Sequence, residues 1–179
     1  MHEFSDEDLM MEWVAGKMEA FERLYERYRG PLYRYILRRV GDDATANDLY
    51  QGSWEKIIRG RKSYRPQAPF PAWMYRIAHN HVMDYFRRQR PETDIETELL
   101  ESGTAGPEEQ LGLENREADL REALARLPEK QRDAILLKLD AGLDLQTIAD
   151  VTGVNRETAK SRLRYAVSRL KHLLTEPVT

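Results

Sequence analysis

Between Pro91 and Asp119 the chain carries ten acidic residues against one basic one, with few large apolar side chains. A stretch of that kind cannot join a hydrophobic core. Like charges extend it by self-repulsion, and it buries too little apolar surface to offset the entropy of ordering. Whatever folds must therefore fold on either side of it. The flanks also differ in sign from the middle. Residues 1–90 and 120–179 each carry a net +3 while 91–119 carries −9, so the overall charge of −3 conceals two basic ends. With 179 residues there is room for two small domains. The expected division is a helical domain over 1–90, a flexible acidic linker over 91–112 and a second helical domain over 113–179.

Both flanks read as helix throughout, because no stretch alternates apolar and polar long enough to argue for a strand. The expected class is all-α, two small helical domains. In the first, Ser5 can cap a helix whose first turn holds Asp6, Glu7 and Asp8 and whose buried side is Leu9, Met10, Trp13 and Val14. Gly16 should stop it. A second helix carries Phe21, Leu24, Tyr25 and Tyr28 up to Gly30-Pro31. Pro31 can open a third, with Leu32, Tyr35, Ile36 and Val40, closed by Gly41. A fourth runs from about Thr45 to Arg59, burying Ala46, Leu49, Ser53 and Ile57.

The second flank contains two short helices joined by a tight turn. Leu145 to Val151 puts Ile148, Ala149 and Val151 toward a core, and Thr152-Gly153-Val154 makes the corner, where Gly153 can take a positive φ. Asn155 can cap the next helix, which buries Ala159, Leu163, Ala166 and Leu170 along one stripe. On its other side Arg156, Lys160 and Arg164 recur every four residues, with Glu157 and Ser161 beside them. From Asn155 to Lys171 there are six Lys or Arg and one acid, whereas an inert helix face mixes signs. A basic helix held by a short helix across a glycine turn can lie in a DNA major groove. There Arg156, Lys160 and Arg164 can each bond a phosphate or a base edge.

A second basic region lies between Arg59 and Arg90, with eight Lys or Arg, one acid and six interleaved aromatics. Three prolines within Ser63–Pro71 stiffen a loop, and a helix from Ala72 to about Gln89 should pack Met74, Ile77, Ala78, Val82 and Tyr85 inward. Arg76, Asn80, Met83 and Arg87 then share another face. Cations that track phosphates, combined with rings that stack on unpaired bases, are the working parts of single-strand recognition. Tyr85, Trp73 and Phe86 also suit a core; Tyr64 and Phe70, in the loop, suit either role.

Several classes fall away. The absence of cysteine excludes disulfides, thiol catalysis and thiolate zinc sites. No apolar run reaches the ~18 residues of a membrane span. The opening Met-His-Glu-Phe-Ser-Asp-Glu-Asp lacks a leader pattern, so a cytoplasmic protein is expected. An enzyme using His79, His81 and Asp84 around a metal is disfavoured, since two helical residues two apart point about 200° from each other. Neither a catalytic triad nor a Gly-rich phosphate loop is present. No enzyme activity, cofactor, metal, membrane or small-molecule substrate is expected.

Three segments in order, Asp48-Leu49-Tyr50-Gln51, Phe70-Pro71-Ala72-Trp73-Met74-Tyr75-Arg76-Ile77-Ala78-His79-Asn80 and Asp84-Tyr85-Phe86-Arg87-Arg88, resemble the promoter-binding domain of bacterial RNA polymerase sigma factors. Leu127-Pro128-Glu129-Lys130-Gln131-Arg132 and Thr158-Ala159-Lys160-Ser161-Arg162-Leu163 resemble their C-terminal domain. With two domains and a short tether, the chain is similar to the extracytoplasmic-function (ECF) subfamily of the sigma-70 family. The resemblance implies core RNA polymerase, promoter DNA and an anti-sigma factor as partners. It implies polymerase docking through Asp48, Leu49, Gln51 and Trp54. It places a base flipped out of the minus-ten element in the Tyr64–Phe70 loop, with Trp73, Arg76, Asn80, Asp84, Arg87 and Arg88 beside the opened element. The minus-thirty-five element falls to Arg156, Glu157, Thr158, Lys160, Ser161, Arg162 and Arg164. The chain departs from the family pattern at Gly52, where an acid usually follows the glutamine, and at Pro71, His79 and His81. Two rivals remain open: a conventional repressor or activator that binds duplex alone, and an adaptor whose basic faces bind acidic partners.

Overall fold

A computed structural model describes residues 3–89 and 115–175; the expected linker at 91–112 lies outside the described residues. Helix α1 spans Asp6–Val14, and Ser5 Oγ accepts the Asp8 amide at 3.1 Å as the sequence suggests. Helix α2 covers Met18–Val40 as one piece. The expected break at Gly30-Pro31 does not occur, so the second and third expected helices are one. Proline crowds the N–H and the Cβ of the residue before it, and Gly30 lacks the Cβ. The apolar stripe Leu24, Leu32, Ile36 then continues across the proline and holds the helix by packing.

Helix α3, Asp43–Gly60, starts at Asp42, whose carboxylate accepts the Thr45 amide at 2.9 Å. A 3-10 turn, Arg61–Ser63, leads into the loop. Helix α4, Phe70–Gln89, begins two residues earlier than expected, with Pro71 inside its first turn, where a missing N–H leaves nothing unsatisfied. The second half holds α5 (Asn115–Ala125), α6 (Glu129–Leu139), α7 (Leu145–Thr152) and α8 (Arg156–Thr175). Among the described residues every regular element is a helix, so the class is all-α as expected.

The buried apolar side chains form one cluster that runs through both halves, with Leu9, Met10, Leu24, Ile57, Met74 and Val82 in the first and Leu124, Leu136, Leu137, Ile148, Ala159 and Ala166 in the second. The halves also touch directly, with α2 against α5 and α6 and α4 against α7. At the centre of that contact Arg39, only 1% exposed, meets Asp133, 4% exposed. Their side chains lie 3.3 Å apart. Tyr35 Oη donates to Asp133 Oδ1 at 2.6 Å, His79 Nδ1 sits 2.8 Å from Asp133 Oδ2, and Arg39 Nη2 reaches Glu129 at 3.2 Å. Arg38 pairs with Asp140 at 2.9 Å along the same seam. Arg132 donates across it to the Arg39 carbonyl at 3.2 Å and to Leu124, Ala125 and Leu127 carbonyls at the end of α5.

Burial alone would raise the Asp133 carboxyl, but Arg39, His79 and Tyr35 outweigh it and hold it at about 2. A depressed acid stabilises the folded arrangement fully above its ordinary value, and that contribution is lost as pH falls through the depressed one. Between about pH 3.9 and the Asp133 value, acid should therefore weaken the wild-type protein more than Asp133→Asn. Equal loss in both proteins, followed by circular dichroism and tyrosine fluorescence, would contradict that. Pro31→Ala should stabilise α2 by about 1–3 kcal/mol in urea unfolding, since it restores a helix hydrogen bond and a better helix former. An unchanged midpoint would show that Pro31 carries no strain.

Candidate nucleic-acid interface

Helix α8 is presented by the turn before it. Gly153 ends α7 at φ 72°, and the Asn155 side chain accepts the Thr158 amide at 2.8 Å, both as the sequence suggests. Asp144 caps α7 by accepting the Thr147 amide at 2.8 Å. Ala159, Ala166 and Leu170 are buried and Leu163 is half-buried, so the opposite side faces outward. Arg156, Glu157, Lys160 and Arg164 are exposed there, with Ser161 and Thr158 half-buried beside them. Arg162 is half-buried and lies about 120° from Arg156 on the far shoulder of the buried stripe. It does not join the Arg156–Lys160–Arg164 row.

The Arg59–Gln89 region forms a second outward face. Arg76, Asn80, Arg87 and Arg88 are exposed on α4, and Asp84 pairs with Arg87 at 3.0 Å. The loop before α4 is built differently from the expectation. Tyr64 and Phe70 are 3% and 1% exposed, so neither offers a free ring to a base. Phe70 packs on Tyr28 with ring centroids 5.3 Å apart, and its amide donates to Glu7 of α1 at 3.3 Å. Tyr64 packs edge-on against Trp73 at 5.4 Å and donates its hydroxyl to the Ala68 carbonyl at 2.7 Å, closing the loop on itself. The loop's outer surface is Arg65, Pro66, Gln67, Ala68 and Pro69, all exposed, with half-buried Trp73 beside it. Large rings next to three prolines find more apolar area inside than out, which is why the loop turns them inward.

On α3, Asp48 and Gln51 are exposed as expected, while Leu49 and Trp54 are 5% and 7% exposed and belong to the core. Trp54 sits among Phe21, Tyr25 and Tyr50, with centroids 5.0 to 6.3 Å away, and cannot reach a partner surface. Glu55, not singled out from sequence, is exposed one turn beyond Gln51, so Asp48, Gln51 and Glu55 share a face at helical spacing. Gly52 and His81, two departures from the family pattern, turn out to be one contact. A Cβ at Gly52 would stand 2.4 Å from His81 Nε2, so the imidazole occupies the space that a side chain at 52 would need. Burial, then Lys56 and Arg88, lower the His81 pKa. His79 faces the other way, onto Asp133, so the two histidines do not converge on one ion.

Among the described residues, no helix is long and apolar enough to cross a membrane. Known proteins carry the same two blocks. The family described as Sigma-70 region 2 matches residues 24–92, and Sigma-70, region 4 matches 117–170. The chain is 34% identical to the ECF RNA polymerase sigma factor BldN of Streptomyces coelicolor over 180 residues, covering 96% of this chain and 68% of that one. It is 32% identical to the ECF RNA polymerase sigma factor SigM of Mycobacterium tuberculosis, covering 97% and 86%. Among solved structures, the sigma factor RpoE bound to the anti-sigma factor NepR, from Bartonella quintana, matches with a TM-score of 0.70 at 25% identity, over 88% of this chain and 98% of that one. CnrH, solved with the cytosolic domain of CnrY, shares the fold at a TM-score of 0.70 and 24% identity, over 94% and 96%.

The Gly52–His81 contact makes a sign prediction. Gly52→Ala should destabilise the wild-type protein, because the new methyl group displaces the imidazole. In a His81→Ala background the same change should stabilise by about 0.5–1 kcal/mol, the helix-propensity gain alone. The same sign in both backgrounds, measured by urea unfolding, would remove the coupling.

Proposed function

We propose a division of labour for this chain, which belongs to the ECF branch of the sigma-70 family: α4 with its preceding loop opens the minus-ten element, and α8 reads the minus-thirty-five element. The chain is a sigma factor, so it binds core RNA polymerase and directs it to promoters to initiate transcription. Anti-sigma control comes with the same assignment, as NepR bound to RpoE illustrates. What carries the allocation is the pair of exposed cationic faces, Arg76–Asn80–Arg87 on α4 and Arg156–Lys160–Arg164 on α8, each lying within one of the two matched regions.

The two faces differ in kind. The α8 row is a run of cations on a helix entered through a capped turn, the form that enters a major groove. The α4 face adds an amide, an acid and a half-buried tryptophan to its cations, and borders a rigid loop. Groups of that mixture suit bases already out of the stack, where a ring platform returns ~1–3 kcal/mol per base. Tyr64 and Phe70 serve this role from beneath. They hold the 65–69 segment in shape, and a flipped base is received by its outer surface together with Trp73. Asp48, Gln51 and Glu55 on α3 dock on the polymerase, with Leu49 and Trp54 fixing the helix that carries them. Melting a duplex costs a few kcal/mol per unstacked base, and it is supplied by binding energy shared with the polymerase; we assign the chain no catalysis of its own. Its place of work is the cytoplasm.

Reconstitution with core polymerase, followed by transcript mapping on a genomic fragment library, tests this reading. Starts that share upstream motifs and vanish without the protein are expected. Starts without a shared motif, or unchanged when the protein is left out, would overturn it, and tight specific duplex binding without the core would favour the repressor reading. Lys160→Ala should weaken closed-complex binding by about 1–3 kcal/mol. Trp73→Ala should leave closed binding intact and reduce permanganate reactivity of thymines in the opened strand. Equal effects of both variants on closed binding would contradict the division.

A further inference from the structure

Helix α4 begins without the means to cap itself. Its first turn carries no acidic residue, Pro69 before it has no side-chain acceptor, and Pro71 follows inside the turn. The Trp73 amide bonds the Pro69 carbonyl at 3.2 Å, but the Phe70 N–H opens the helix and has no acceptor within it. The acceptor comes from 63 residues earlier in the chain. Glu7, in the first turn of α1, takes the Phe70 amide at 3.3 Å and sets a carboxylate at the positive end of the α4 backbone.

Glu7 is held in that place. Its neighbour Asp6 accepts from Arg27 of α2 at 2.8 Å and from the Tyr28 hydroxyl. Tyr28 in turn packs on the Phe70 ring. The first turn of α1, the middle of α2 and the start of α4 thus form one frame around Phe70. At Phe70 the 65–69 segment becomes helix, and its ring lies 6.0 Å from that of Trp73, one turn on. Two side-chain hydrogen bonds therefore pin the segment: Tyr64 to the Ala68 carbonyl within it, and Glu7 to the Phe70 amide at its exit.

The geometry points to Glu7 as a positioning residue for minus-ten opening: from beneath, it fixes the 65–69 surface and Trp73 in the shape that receives the flipped base. The inference rests on the minus-ten reading of α4 and its loop. Glu7 acts through Phe70 and not on the base. A segment ordered before the base arrives spends less of the stacking gain on its own ordering. An acid in the first turn of α1 also favours α1 itself. The two roles separate by what the side chain must offer. Capping the Phe70 amide needs an oxygen acceptor, which glutamine keeps; favouring α1 needs the charge, which glutamine lacks.

In the full chain, hydrogen exchange at the Phe70 amide, followed by NMR, should speed about tenfold in Glu7→Ala and stay near the wild-type rate in Glu7→Gln. With core polymerase, binding is measured to a fork probe whose minus-ten strand is unpaired, built on a start recovered by transcript mapping. The same probe is made with an abasic site at successive positions of that strand. The position at which the wild type loses most affinity marks the flipped base. Glu7→Ala should bind the intact fork about tenfold more weakly, yet match the wild type on the probe lacking that base. Glu7→Gln should match the wild type on both. Asp8→Asn, which removes the same charge from the same turn of α1, should change neither. An alanine penalty that persists in full without the base, a glutamine variant as weak as alanine, or an unchanged Phe70 exchange rate would each overturn the assignment. If no abasic position weakens the wild type, the minus-ten reading itself fails and takes the role of Glu7 with it, whatever the exchange rates show.

Discussion

Much of this structure turns on the Arg39–Asp133 pair, 3.3 Å apart and almost wholly buried. An arginine in the apolar stripe of a 23-residue helix is tolerable only if something supplies a counter-charge, and among the described residues its acidic partners, Glu129 and Asp133, both lie on α6. The counter-charge comes from α6, so the first half presents a surface that the second half completes. Tyr35, His79 and Glu129 satisfy further atoms of the pair. The site is thus polar and buried while neither half supplies it alone.

That distribution of polar groups bears on how the protein can move. An apolar contact of the same size would gain in proportion to area and resist separation; a charged one trades attraction for lost hydration and leaves a smaller difference. When the halves part, Arg39, His79, Glu129 and Asp133 regain water, which offsets the lost pairing. The apolar cluster that runs through both halves is the part of the contact that resists separation.

Much of this was legible in the residues. The caps at Ser5 and Asn155, the turn at Gly153, the helical class and the outward rows on α4 and α8 follow from local chemistry, which a sequence displays directly. Pro31 misled because proline was weighed without the apolar stripe that runs past it. Leu49 and Trp54 sat in a motif associated with docking, yet their large apolar surfaces drew them inward; Tyr64 and Phe70 did the same in the loop. The seam was harder to see, although it left a mark. Arg39 falls in register with Leu32, Tyr35 and Ile36, and Asp133 stands next to Ala134 and Ile135 on α6, so each half holds one charge at a buried position. Two such charges of opposite sign in one chain are a signal for pairing, but nothing local tells which charge meets which.

The departures at 52, 79 and 81 carry the reasoning one step further. Taken singly, each is a departure from the family pattern. In the fold they sort into two contacts. His81 fills the space at Gly52 and ties α3 to α4 inside the first half. His79, two residues earlier on the opposite side of α4, reaches Asp133 and ties α4 to the second half. One turn of α4 therefore couples three things: α3 through His81 at Gly52, the exposed face of α4 that carries Asn80, and the seam between the halves through His79 at Asp133.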